Sequence, residues 1–253
     1  MRNYLILDGK NSLDFGLFIS GKGAYTSPAK KYEEVEVPGR NGKLLMDTNT
    51  FFDNVEVSYD AFMFEDLHND YAKHDNKIAL DYSSLSERLG ELRAFLGSRK
   101  GYFRIEDTYH QDEYRMGYFV KDISPTMSNG LKSAEFTLIF TCKPQRFLKS
   151  GEIAYDLTSN SGIFNPTMFD SKPLIRAYGT GSFKINGITT TIKSANTYTD
   201  IDCDLMECYK GSTNCNGNVV LTNNQFPVFT PGDNSISLSG ITKLTITPRW
   251  WTI

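Results

Sequence analysis

The stretch Ser83 to Gly101, SSLSERLGELRAFLGSRKG, constrains the fold most, because it is the one segment with helical periodicity in a chain that otherwise alternates like strand. Leu85, Leu89, Leu92 and Leu96 recur at the spacing that stacks side chains on one helical face, while Glu87, Arg88, Glu91 and Arg93 fall elsewhere. Ser84 is the expected N-cap, with Glu87 placed to close a capping box, and Gly97 is the expected left-handed stop. The pattern predicts a helix over 84–97, with a largely β domain laid over its leucine face.

Strand patterns surround it. Tyr4 to Leu7 and Phe15 to Ile19 flank an Asp8-Gly9 turn, and Lys31 to Val37 places Val35 and Val37 on one face with Glu34 and Glu36 on the other. Pro38-Gly39-Arg40-Asn41-Gly42 forces a tight turn before Lys43-Leu44-Leu45-Met46. Phe51 to Phe64 alternates as one long strand, and Glu65 to Asn76 reads as loop or irregular helix. After the helix, Tyr102 to Glu106 and Tyr114 to Ile123 form a hairpin, and Leu131 to Cys142 is the last strand of this half. A linker at Lys143-Pro144-Gln145-Arg146 divides the chain into domains 1–142 and 143–253.

The second half carries no helical pattern. Strands are expected at 174–178, 182–185, 188–192, 199–205, 218–221, 225–229, 235–238 and 241–247, with Asn186-Gly187 as a strong hairpin signal. Short antiparallel strands in about 110 residues describe a β-sandwich or jelly roll. The fold class is therefore mainly β, an N-terminal β domain with one α-helix followed by a C-terminal sandwich. The aromatic content of 13% agrees, since rings suit pleated surfaces.

Charge excludes one class of function. The net charge is −3, and the acidic excess sits in residues 1–142, so neither half is the basic surface that duplex binding requires. Sequence-specific nucleic-acid binding is not expected. The N-terminal MRNYLILDGKNSLDFG has no sustained apolar core, and no run approaches a bilayer span, so neither a signal peptide nor membrane insertion is expected. Cys142, Cys203, Cys208 and Cys215 lack the spacing of a disulfide framework or of zinc ligands and read as reduced thiols.

Candidate chemistry is thin. Gly16 to Gly23 matches P-loop spacing until Gly23 replaces the hydroxyl residue that would ligate magnesium, and no helix pattern follows. Asp66, His68, Asp70 and His74 read as a solvated polar loop rather than a metal site, and His110 as a solvated hairpin tip. Asp200, Asp202 and Asp204 open like a calcium loop, but Leu205 and Gly211 stand where glycine and the bidentate glutamate belong, leaving a solvated strand face. Gly179-Thr180-Gly181-Ser182 is not a nucleophile elbow. No catalytic, cofactor or metal residue is assigned, and an enzyme is not expected. Trp250-Trp251 places one indole in the core and the other at a surface or interface, so an exposed interface aromatic is expected at this pair. Exposed rings on a sandwich also permit the alternative of a carbohydrate-binding module contacting a host cell wall.

Taken in order, Val37-Pro38-Gly39-Arg40-Asn41-Gly42, the leucine helix followed by Gly101-Tyr102-Phe103-Arg104, and Phe140 to Glu152 carry a resemblance along the whole chain. Asn165-Pro166-Thr167, Lys172-Pro173-Leu174-Ile175, Gly179-Thr180-Gly181 and Ile246-Thr247-Pro248-Arg249-Trp250-Trp251 continue it. The sequence resembles the distal tail proteins of phages with long non-contractile tails, most nearly those of lactococcal and related Gram-positive hosts.

The resemblance implies a homohexameric ring of N-terminal β domains closed by an extended hairpin, with a galectin-like sandwich facing outward. Such a hub joins the tail tube protein to the tail-associated hub protein and the receptor-binding baseplate proteins, and DNA passes its lumen. It implies a virion structural protein of the tail tip, assembled in the host cytoplasm, with no cofactor. The outer half has the size of a bare sandwich of about 110 residues, without an inserted arm. Glu34, Glu36, Pro38, Gly39, Arg40, Gly42 and Leu44 are the expected oligomer-interface residues, because a strand and turn here can offer β-pairing to a neighbour.

Overall fold

The computed structural model describes residues 3–20, 22–46, 51–64, 85–128, 133–195 and 197–253. The expected N-cap Ser84, the loop with Asp66, His68, Asp70 and His74, and the strand start at Leu131 lie outside them. The chain divides into two compact units, Met1–Arg146 with Ile253, and Phe147–Thr252.

The first unit contains β1 (Leu5–Leu7), β2 (Lys10–Asn11), β3 (Leu17–Ser20), β4 (Glu33–Val35), β5 (Leu44–Met46), β6 (Val55–Phe64), α1 (Leu85–Ser98), β7 (Phe103–Asp107), β8 (Glu113–Phe119) and β9 (Thr126–Ser128). The long strand β10 (Ser133–Leu148) carries the chain out of it. One antiparallel sheet runs in the order β2-β1-β7-β8-β10-β6-β3, with β9 beside β10. Strand β6 shows strict alternation: Val55, Val57, Tyr59, Ala61 and Met63 are buried, and the residues between them face outward. Its ladder with β10 extends from Ser133↔Phe64 to Cys142↔Val55 and locks that register, since a one-residue slip would expose the whole apolar set.

The ends of this sheet are drawn together. The Ile19 amide donates to the Asn3 carbonyl at 3.1 Å. The fully buried Ser12 hydroxyl accepts from the Leu5 amide and donates to the Leu17 carbonyl, both at 3.0 Å. Into the resulting interior α1, the α-helix among the described residues, sends Leu85, Leu89, Leu92 and Leu96, none more than 3% exposed. The helix does not stop at Gly97. It continues to Ser98, whose hydroxyl donates to the Phe95 carbonyl at 2.8 Å and so satisfies the last turn, and the left-handed glycine is Gly101 at φ +68°.

Lys143-Pro144-Gln145-Arg146, expected as a linker, is regular strand within β10. Pro144 lies past the end of the β6 ladder, which closes at Cys142↔Val55, so it removes no amide from that ladder.

The second unit contains β11 (Tyr155–Leu157), β12 (Ser161–Asn165), β13 (Leu174–Tyr178), β14 (Gly181–Ile185), β15 (Ile188–Ile192), β16 (Tyr198–Asp202), β17 (Glu207–Lys210), β18 (Thr213–Asn214), β19 (Val219–Leu221), β20 (Gly232–Ser239), β21 (Lys243–Thr247) and β22 (Trp251–Thr252). Two sheets, β11-β21-β13-β16-β17-β18 and β12-β20-β14-β15-β19, enclose a core of Ile175, Ala177, Phe183, Ile185, Ile201, Phe229, Ile246 and Trp250, making a β-sandwich. The Asn186-Gly187 hairpin forms as expected, with both residues at positive φ between Ile185 and Ile188. Residues 225–229 do not form a strand; Phe229 makes an isolated bridge to Ser171, and its ring fills the core against Trp250. Strands β11, β12, β17 and β18 carry too little alternation to be read from the sequence.

Candidate interaction surface

The residues expected at an interface gather on one projecting feature. Strands β4 and β5 pair with each other, Glu33↔Met46, Glu34↔Leu45 and Val35↔Leu44, and among the described residues with no other strand. The ribbon continues at its base, where Lys30 bridges Phe52, the Lys31 amide donates to the Phe51 carbonyl and the Asp53 amide to the Ala29 carbonyl. At its tip the Arg40 amide donates to the Val37 carbonyl at 3.1 Å. Pro38 and Gly39, the latter at φ +80°, thus occupy the central positions of a type II turn, where proline pre-sets φ and glycine alone accepts a left-handed backbone without cost.

Glu34 and Leu44 lie in the strands, and Glu36, Pro38, Gly39, Arg40 and Gly42 build the tip. Glu36, Val37, Pro38, Arg40, Gly42 and Lys43 line an open concavity of about 500 Å³ there. Lys43 pairs with Glu34 at 2.8 Å and Lys31 with Asp53 at 2.6 Å, both solvated pairs worth about 0–1 kcal/mol.

The register puts Val35, Leu44 and Met46 on one face together with Glu33, which lies opposite Met46, and Leu45 with Glu34 on the other. Leu45 is 52% exposed and Met46 41%, and Tyr32, Val37 and Phe51 are exposed as well. Leu45, Met46, Tyr32 and Phe51 were not among the residues anticipated. The signal was there: three consecutive apolar residues in a strand cannot all face one core. A two-stranded ribbon is marginal in water by itself, and among the described residues this one keeps an apolar strip exposed and pairs neither strand's outer edge. Its chemistry is that of association: hydrogen-bonding edges and apolar side chains, with no nucleophile among them.

Elsewhere several polar groups that read as solvated in the sequence are committed to structure. His110 is not a solvated tip. Its Nδ1 lies 3.0 Å from Asp107 Oδ1 and its Nε2 3.0 Å from Arg146 Nη2, while the Tyr59 hydroxyl donates to Asp107 Oδ2 at 2.8 Å. Burial first, and then the Asp107 charge, push the Tyr59 phenol well above its ordinary pKa, so Tyr59 stays protonated as a donor. Burial and the neighbouring Arg146 lower the Arg115 guanidinium, which donates to the Thr26 carbonyl at 3.0 Å.

Asp200 and Asp202 are likewise not a solvated face; both are buried and each meets an arginine two-pronged. Arg176 reaches Asp200 at 2.6 and 2.9 Å, and Arg249 reaches Asp202 at 2.7 and 2.8 Å. Sequence alternation could not reveal this, because both arginines come from other strands or loops.

Trp250 is 1% exposed and is the core indole of the pair, so of the two candidates for an exposed interface aromatic only Trp251, which is partly exposed, remains. Trp251 stacks on Phe169 at 4.4 Å, and its indole N–H donates to the Asp170 carbonyl. Among the described residues no group of three His, Cys, Asp or Glu side chains is arranged to hold a metal ion, and no helix is long and apolar enough to cross a membrane.

No family model matches this sequence, and no curated protein matches it. Solved structures do. The structure of the SPP1 Dit (gp 19.1) protein, described as a paradigm of the hub adsorption apparatus in phages infecting Gram-positive bacteria, matches over 100% of both chains with a TM-score of 0.74 at 14% identity. The phage P2 baseplate in its activated conformation with Ca matches over 97% of each chain, with a TM-score of 0.51 at 10% identity. The same baseplate with Sr matches equally, at 9% identity. At such identities the likeness is one of fold, and the chain shares that fold along its length.

Proposed function

We propose that this chain is a structural, non-enzymatic component of a phage tail tip, a hub that joins the tail tube to the baseplate and its host-recognition proteins. The observation that carries the reading is the end-to-end match to a hub protein of an adsorption apparatus, both units included. In this reading the first unit forms a homohexameric ring around a lumen for DNA, and the second, a galectin-like sandwich, faces outward. The exposed β4–β5 ribbon supports it: a strand edge unpaired among the described residues, beside Val35, Leu44 and Met46, suits pairing with the neighbouring copy, and a repeated heterologous contact of that kind closes into a ring. The acidic excess of the first half suits a channel that DNA crosses without adhering.

The test is an image and a mass. Negative-stain particles of the purified protein should be six-fold rings with an open centre, and light scattering should give six chain masses. A monomer at every concentration and ionic strength would refute ring formation by the chain alone. The carbohydrate-binding alternative loses its best candidate ring, because Trp250 is core and one Trp251 face is taken by Phe169. A glycan array on cell-wall polysaccharides should be blank.

A further inference from the structure

We propose that Cys208 and Cys215 are a modification site, closing to a disulfide when the folded protein meets a low-molecular-weight disulfide such as oxidised glutathione. In the structure both are thiols, and they are far enough apart in sequence to have looked unrelated. The register brings them together. Tyr209 pairs with Asn214 and Lys210 with Thr213, and the next opposed pair in that antiparallel ladder is Cys208 with Cys215. The pairing is real at that step, since the Cys215 amide donates to the Cys208 carbonyl at 2.8 Å.

Directly opposed residues project to the same face, and here both side chains pack on the sandwich core cluster, Cys208 inside it and Cys215 at its margin. A hydrogen-bonded opposed pair of this kind sits at the wide end of the antiparallel range, with Cβ atoms about 5.5 Å apart, and a disulfide takes about 3.5–4.5 Å, so closure asks for a movement on the order of 1–2 Å. The end of the ladder can supply it. The Cys208 amide is held by the Asn216 side chain at 2.6 Å, and β18 is a two-residue strand at the sheet edge.

The chemistry is ordered by access. Cys215 is half-buried and its thiolate attacks the external disulfide, forming a mixed disulfide and releasing one glutathione thiolate. The Cys208 thiolate then attacks the Cys215 sulfur and displaces the second glutathione. Two protein thiols lose two electrons and two protons, and one glutathione disulfide becomes two glutathione thiols. Burial pushes the Cys208 thiol up to about 11, which leaves Cys215 as the point of entry and Cys208 as the resolving thiol. Cys142 and Cys203 are buried, with thiols raised by burial, and are not entry points.

The inference is independent of any role in a virion. Reduced, folded protein is incubated with oxidised glutathione, quenched, unfolded and alkylated. Two of the four cysteines should resist alkylation. Lys210 lies between the pair, so trypsin should yield peptides 194–210 and 211–243 joined by a reducible link. Cys203→Ala should keep that link. Cys208→Ala should replace it with a lasting glutathione adduct on Cys215, and Cys215→Ala, at the margin of the core, should consume no glutathione. Four alkylated cysteines, a link that survives Cys208→Ala, a link between Cys203 and Cys208, or an unresolved adduct in the unsubstituted protein would overturn the proposal.

Discussion

Arg249 has a left-handed backbone, φ +60°, which a residue with a β-carbon adopts at a cost of about 1–3 kcal/mol. What holds it there is the two-pronged bond to Asp202, together with the Arg249 amide donating to the Gly151 carbonyl at 2.8 Å. Asp202 is buried and Arg249 only partly so, and Asp202→Asn removes the charge from the pair; it should lower unfolding stability by about 1–3 kcal/mol, read from the urea midpoint of tryptophan fluorescence. Burial pushes the Asp202 carboxyl up, but the hydrogen bonds and charge of Arg249, with the Leu205 and Asp204 amides, outweigh it and hold the group below its ordinary value. Its contribution is therefore complete above about pH 4, the unfolded value, and is lost as pH falls through the lower folded value. Asp202→Asn should flatten that acid limb. Gly151 makes a complementary case: a β-carbon there would strike the Trp250 backbone nitrogen, a main-chain atom with no flexible end to yield. Gly151→Ala should cost about 1–3 kcal/mol in the same assay.

The α1 helix and the β4–β5 ribbon answer to opposite forces. Every apolar face of α1 is consumed by the unit's own core, so Leu92→Ala should cost about 2–5 kcal/mol, while Glu91→Ala on the outer face should stay within about 0.5 kcal/mol, both by calorimetry or denaturant. The ribbon's apolar strip is left exposed among the described residues. Leu44→Glu with Met46→Glu should leave the unfolding transition of the isolated chain unchanged and abolish self-association in light scattering. If the double variant associates as the unsubstituted protein does, the ribbon is not the contact. The helix was legible because 3.6-residue periodicity is a local signal. The ribbon's strands and turn were legible too, from Pro38-Gly39 and flanking alternation, but its isolation from every other strand was not, since pairing is a property of distant segments.

A fold shared at 14% identity rests on pattern rather than on particular contacts: alternation, turn chemistry and volume suffice to specify two β units, and side chains can drift within them. In the proposed ring, what cannot drift is a strand edge left open on one side of the subunit and a surface that receives it on the other. Self-association should accordingly survive high salt, since the strip it uses is apolar and the ion pairs beside it are solvated and screened. Loss of the oligomer at molar salt, read by light scattering, would move the contact to the charged groups instead.

The amino-acid order by itself determined the fold class, the helix with its buried leucines, the Asn186-Gly187 and Pro38-Gly39 turns, and the general placement of strands in both halves. These are decided within a dozen residues by backbone sterics and apolar periodicity. Tertiary structure decided the rest: that Lys143 to Arg146 is strand, that Asp200 and Asp202 are buried against arginines, that His110 is clasped between Asp107 and Arg146, and that Trp250 is core. It also set Cys208 opposite Cys215. Each of these depends on which distant segment supplies the partner, and the energy of a buried charge or a paired strand exists only once that partner has arrived.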